Sequence, residues 1–120
     1  MSCIQKLLNF NNELRLHHWG TQSYSAHKAL GKAYESLDAI LDTFTETYIS
    51  VKGKQELKDF PNLELNGPFK ISINSVLDSY EDYLKNEITK EIKSDQTALL
   101  NIRDEMLGVV QQTKYLLTLS

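Results

Sequence analysis

The sequence predicts an all-α protein, an antiparallel four-helix bundle with a long crossover between its second and third helices. Three observations carry that expectation. Apolar residues recur at three- and four-residue steps along almost all of the 120-residue chain. Both prolines, Pro61 and Pro68, fall in one polar stretch near the middle. The remaining breaks are short and sit at glycine or serine.

The first helix is expected over residues 2–19. Cys3, Leu7, Phe10 and Leu14 share one face, and the pattern reaches His17 or His18 before Gly20 interrupts it. The second, over 24–51, starts around Ser23–Ala26, where serine side chains can cap free N–H groups. Its stripe is Leu30, Ala33, Tyr34, Leu37, Leu41, Phe44 and Tyr48, and it fades at Val51–Gly53. Residues 53–72 form the crossover, with one short helical turn at Gln55–Phe60. The third helix, 74–93, opens near Asn74 with Ser75 and Asp78 as a capping pair. It carries Ile73, Val76, Leu77, Tyr80, Leu84, Ile88 and Ile92. Ser94 and Asp95 give the next break and a new N-cap for the fourth, 95–119, with Leu99, Ile102, Met106, Val109, Val110, Thr113, Leu116 and Leu117. Only Phe69–Ile73 shows a weak strand-like alternation. Two short links around one long one give the connectivity of a ferritin-like bundle, in a single domain over 1–120.

A hydrophobic share of 41% permits a modest core, which an oligomer interface would supplement. A net charge of −3 with no basic tail argues against nucleic-acid binding. Cys3 is the one cysteine, so an intrachain disulfide is impossible and a reducing compartment is expected. No apolar run approaches the roughly 20 residues of a membrane span, and the start MSCIQKLLNF lacks a signal-peptide core. The expectation is a soluble cytoplasmic protein without membrane partners. Neither a glycine-rich phosphate loop nor a Ser-His-Asp, Cys-x-x-Cys or Glu-x-x-His arrangement occurs, which disfavours hydrolases and di-iron enzymes built on two Glu-x-x-His motifs.

The chemistry concentrates in LRLHHWGTQSYSAHKAL, residues 14–30, which holds all three histidines and the one tryptophan. His18 and His27 are nine residues apart, about 900° of helical rotation, and would oppose each other on an unbroken helix. A turn at Gly20–Ser23 lets them face a shared space. Asp38, Asp42 and Glu46 follow at four-residue steps, a strip flanking the apolar face of the second helix. Imidazole nitrogen with carboxylate oxygen suits iron, manganese or zinc. Alternatively, Arg15, His17, His18, Trp19, Tyr24, His27 and Lys28 combine positive charge with flat rings, the chemistry that grips a nucleotide. A third reading has the histidines satisfying backbone groups at a helix corner and the acids merely solvated, in a structural or interaction protein. Trp19 is expected as an anchor between helices or in an interface, Tyr80 and Tyr83 as core or interface residues, and Cys3 as a packing residue.

The His-Trp pair His18–Trp19 closing one helix, His27 opening the next, then Tyr34, Asp42 and Glu46, resembles the Dps-type mini-ferritins over roughly residues 10–50. The spacings from His27 to Asp42 and Glu46 match that family. Two features depart from it: Gly31 stands where the family usually has aspartate, and the interval between the histidines is about three residues shorter. The resemblance implies a homo-oligomer that binds iron at subunit interfaces through His18, His27, Asp42 and Glu46. It further implies oxidation of Fe(II) by peroxide or oxygen, with Trp19 or Tyr34 quenching stray oxidising equivalents. The chain also looks like small proteins carried by large tailed phages. That implies a viral origin and action in a host cytoplasm, where an anion-binding oligomer would sequester a signalling nucleotide.

Overall fold

Each predicted apolar stripe is the buried face of a helix. The computed structural model describes residues 2–58, 60 and 64–119. Helix α1 spans Cys3–Gly20, α2 spans Tyr24–Lys52, α3 spans Ile73–Asp82 and α4 spans Thr97–Leu117. Among the described residues there is no strand, so the weak alternation at Phe69–Ile73 forms none. Cys3, Leu7, Phe10 and Leu14 of α1 meet Leu30, Leu37, Leu41, Phe44 and Tyr48 of α2 in one core. Val76, Leu77 and Tyr80 of α3 join it, with Leu99, Met106 and Val110 of α4. A buried Leu, Ile or Phe contributes about 1.5–3 kcal/mol, and this cluster is the main source of stability.

Helix α1 packs against α2 and α3, and α4 packs against the same two. Polar pairs give the directions. His18 meets His27 near the first turn and Arg15 meets Asp38 farther from it, so α1 and α2 run antiparallel. Likewise Arg103 donates to the Leu84 carbonyl, while Lys114 farther along reaches back to Asp78 and Glu81, so α4 reverses on the third segment. Lys114 sits 2.9 Å from Glu81, and that hydrogen bond holds the Glu81 carboxyl below the usual carboxylate range.

Local differences from the expected boundaries have local causes. Ser72, instead of Ser75 with Asp78, caps α3, its Oγ accepting from the Ser75 N–H at 3.1 Å. Asp78 is spent on Lys114. Beyond Asp82 the helix widens into a π segment, Tyr83–Glu87, then tightens into a 3₁₀ turn, Ile88–Lys90. Helix α4 begins two residues later than Ser94–Asp95 would place it. Gln96 closes that turn, its N–H on the Lys93 carbonyl and its Oε1 accepting from the Lys93 N–H, so Ser94 and Asp95 become turn residues. The helical turn expected at Gln55–Phe60 is a 3₁₀ turn at Lys54–Leu57, entered through Gly53 at φ +99°. Pro61 and positions 59, 62 and 63 of the crossover lie outside the described residues.

At the end of the molecule away from the histidines, Ser2 Oγ and the Glu91 carboxylate cap α1, the latter accepting from the Cys3 N–H at 2.9 Å. Burial, then the adjacent Glu91, pushes the Cys3 thiol far above its ordinary range. Such a thiol stays protonated and inert, in keeping with a packing role.

Candidate functional site

Helix α1 stops where Gly20 is followed by Thr21, whose N–H bonds back to the His17 carbonyl at 3.0 Å. Three residues on, Ser23 caps α2 as its sequence position predicts, accepting from the Ala26 N–H at 3.2 Å. This tight link sets the His18 and His27 rings face to face, centroids 3.8 Å apart and planes 18° apart. Each ring also bonds to the other residue's backbone. His18 Nδ1 donates to the His27 carbonyl at 2.6 Å, and His27 Nδ1 donates to the His18 carbonyl at 2.9 Å. A carbonyl only accepts, so both Nδ1 atoms carry hydrogen, and a neutral ring then keeps its lone pair on Nε2.

Gly31 makes room for this arrangement. A Cβ there would stand 2.8 Å from His18 Cε1 and 3.1 Å from its Nδ1. The space that a side chain at position 31 would take is therefore filled by the His18 imidazole.

Further rings and cations extend the corner in both directions. Tyr34 presents itself edge-on to His18 at 5.3 Å, and the Arg15 guanidinium lies 4.6 Å over Tyr34. On the other side Tyr24 lies 6.4 Å from His27, with the Lys28 ammonium 5.6 Å over it. Arg15 is already neutralised: it reaches Asp38 at 2.6 Å and Asn12 at 2.9 Å. Trp19 is 65% exposed, so of its two expected placements, between helices or in an interface, the first is corrected. Once His18 turns toward α2, its neighbour lies about 100° further round the helix and faces outward.

His17 belongs to a different structure. Its Nε2 donates to the Asn66 carbonyl at 3.2 Å, while the Glu13 carboxylate, one turn earlier, accepts from the Asn66 N–H at 2.7 Å. The two side chains grip both backbone groups of one crossover residue, and Pro68 closes against Gly20 two residues later. His17 thus leaves the set of ligand-binding candidates and becomes a clamp. Glu13 and Asn66 were not singled out in the sequence; a carboxylate one turn before a histidine on a buried face was the signal available. The adjoining cleft between His17, Leu30, Pro68 and Ile73 holds about 200 Å³, below the roughly 300 Å³ at which ligand pockets start.

Asp42 and Glu46 are not brought to the histidines. Both are exposed, and neither forms a hydrogen bond or ion pair among the described residues. They lie 15 and 19 residues beyond His27 on the same helix, about 22 and 28 Å along its axis. Asp38 is held by Asn11 and Arg15. Among the described residues no group of three or more His, Cys, Asp or Glu side chains is close enough to hold a metal ion.

Fold and site together define a small all-helical protein with a stacked histidine pair at one hairpin corner, and with no helix long and apolar enough to cross a membrane among the described residues. The chain belongs to a family of unknown function (DUF5856), whose profile matches residues 18–117 and so takes in His18, His27, Asp42 and Glu46. No curated protein and no solved structure matches it.

Proposed function

We propose that this chain is a ferritin-like bundle that binds a divalent metal, iron foremost, at sites completed by a second copy of itself. The observation that carries the reading is the histidine pair, two imidazoles in contact, each with Nδ1–H anchored on a carbonyl. Metal-ligating histidines are oriented by such a bond, which leaves Nε2 as the donor atom. Two further features support it. The packing of α1 and α4 each against both α2 and α3 is the neighbour pattern of a ferritin-like bundle. Asp42 and Glu46 are unpaired carboxylates one turn apart on an exposed face, beyond reach of their own histidines.

Two imidazoles with one or two carboxylates form a donor set that fits Fe(II), Mn(II) or Zn(II). In this reading His18 and His27 would each offer an Nε2 lone pair at the corner, and Asp42 and Glu46 of another copy would supply charge and oxygen donors. Fe(II) is the substrate, oxidised by peroxide or oxygen. Tyr34, in edge contact with His18, and the adjacent Trp19 are the groups placed to absorb stray oxidising equivalents.

A second reading has its own observation: Tyr24 is 73% exposed with the Lys28 ammonium over its ring, and Trp19 is exposed as well. A flat anionic ligand such as a signalling nucleotide would stack there, and a phage-borne copy would act by sequestering it. Arg15 and His17 drop out of that site, since both are engaged elsewhere.

One titration series tests both. Wild type is expected to bind Co(II) and Fe(II) and to oxidise Fe(II), with His27→Ala weakening binding by about tenfold or more. Absence of bound metal and of oxidation under saturating Fe(II) would overturn the metal reading. A rise in Tm with a nucleotide but with no metal would favour the second, because a ligand bound only by the folded state raises Tm.

A further inference from the structure

The outward face of α2 has a charge pattern that complements itself. Lys28, Lys32, Glu35, Ala39, Asp42 and Glu46 are all exposed and, at 100° per residue, fall within an arc of about 80°. Their spacing alternates four and three residues, the repeat of a two-helix seam. Charge is segregated along it, two lysines toward the start and two acids toward the end. Among the described residues Lys32, Glu35, Asp42 and Glu46 have no hydrogen-bonding or ion-pair partner, and Lys28 lies over the Tyr24 ring.

We infer that α2 pairs antiparallel with α2 of a second copy of this chain, in the register that sets Lys28 against Glu46 and Lys32 against Asp42. The register follows from the positions themselves. An antiparallel two-fold pair matches residues whose numbers have a constant sum, and 28 with 46, 32 with 42 and 35 with 39 share one. The two-fold axis then passes near position 37, where Ala39 is small enough for the helices to approach. Symmetry doubles the two ion pairs to four. A parallel pair would instead oppose lysine to lysine and acid to acid. Glu35 is the unfavourable element, since it and its copy face each other obliquely near the axis.

The pairing rests on charge and needs no metal, so it goes beyond the reading above. It also sets Glu46 of the second copy against Lys28, at the level of His27 along α2 but about 100° round the helix from it.

The test uses two purified variants, Lys28→Glu with Lys32→Glu, and Asp42→Lys with Glu46→Lys, examined by sedimentation equilibrium in EDTA at low salt. All four sites are exposed helix positions taking good helix formers, and circular dichroism checks folding. Wild type is expected to dimerise, about tenfold less tightly in 0.5 M than in 20 mM salt. Each variant alone is expected to be monomeric, because both of its designed pairs, 28 with 46 and 32 with 42, now oppose like charges. An equimolar mixture is expected to form the heterodimer, because all four pairs attract again. Glu35→Ala is expected to tighten the wild-type dimer. A wild-type chain monomeric at high concentration, variants that dimerise alone, or a mixture that stays monomeric would each overturn the pairing. Association that appears only with added metal would also overturn it while supporting the metal reading. Metal-free pairing in a chain that binds no metal would do the reverse.

Discussion

Asn11→Ala is expected to lower stability by roughly 3 kcal/mol and Tm by on the order of 10 °C, far more than its small side chain suggests. Tyr80 is fully buried, and its hydroxyl has one partner, Asn11 Oδ1, at 2.7 Å. Asn11 is itself buried and passes the connection on, its Nδ2 donating to Asp38 at 3.1 Å, while Arg15 holds the other Asp38 oxygen. Four side chains from three helices thus form one chain of hydrogen bonds beside the Phe10–Tyr80 stack, centroids 4.7 Å apart. Burial pushes the Tyr80 phenol far above its ordinary range, so the hydroxyl keeps its proton and remains a donor that must be satisfied. Removing Asn11 strands it, at a cost of about 1–3 kcal/mol beyond the lost bonds. The decisive measurement is the double variant. Adding Tyr80→Phe to Asn11→Ala removes the stranded donor and should recover part of the loss, whereas Tyr80→Phe alone should destabilise. Simple additivity in thermal or urea unfolding would refute the account.

The same network marks where the sequence stops being informative. Periodicity identified the buried faces because a 3.6-residue repeat and a core together leave little choice about which residues point inward. Leu37, Phe44, Leu77 and Met106 are all where their stripes put them. The meeting of His18 with His27 was also legible, since a break at Gly20 is enough to turn them toward each other. The resemblance groups Asp42 and Glu46 with the histidines across a subunit interface, and within one chain 15 residues of unbroken helix keep them apart. Pairings set by tertiary placement were not legible. Asn11 finds Tyr80 across 69 positions, and His17 and Glu13 find a backbone group 49 and 53 positions away. A peptide group has no sequence signature. Bulk alone would put Trp19 between the helices of this chain, whereas the direction of the neighbouring His18 side chain turns it outward.

Gly31→Ala is expected to dismantle the histidine pair while leaving the fold nearly as stable. In a helix interior this substitution adds about 1 kcal/mol of helix propensity, and Gly31, half-buried, has no positive φ to make alanine costly. Against that stands a Cβ placed 2.8 Å from His18 Cε1. The ring is wedged between the His27 face, the Tyr34 edge and its bond to the His27 carbonyl, so it cannot shift a few tenths of an ångström and keep all three. It must swing out, giving up one hydrogen bond worth about 1 kcal/mol and the stacking contact, which roughly offsets the helical gain. The site loses far more than the fold does. With only His27 left in place, the metal affinity proposed for the corner should fall by about tenfold or more. NMR reads the cause directly, because the His18 Cε1–H resonance lies under the ring currents of His27 and Tyr34 and should move toward its random-coil position. Gly31→Asp should displace the ring in the same way. Its carboxylate then stands one turn from His27 on the same face, so any metal affinity it regains over Gly31→Ala measures how far an aspartate can replace His18. A His18 resonance unmoved in Gly31→Ala, or a metal affinity unchanged once the ring has moved, would show that the stacked pair is not the site.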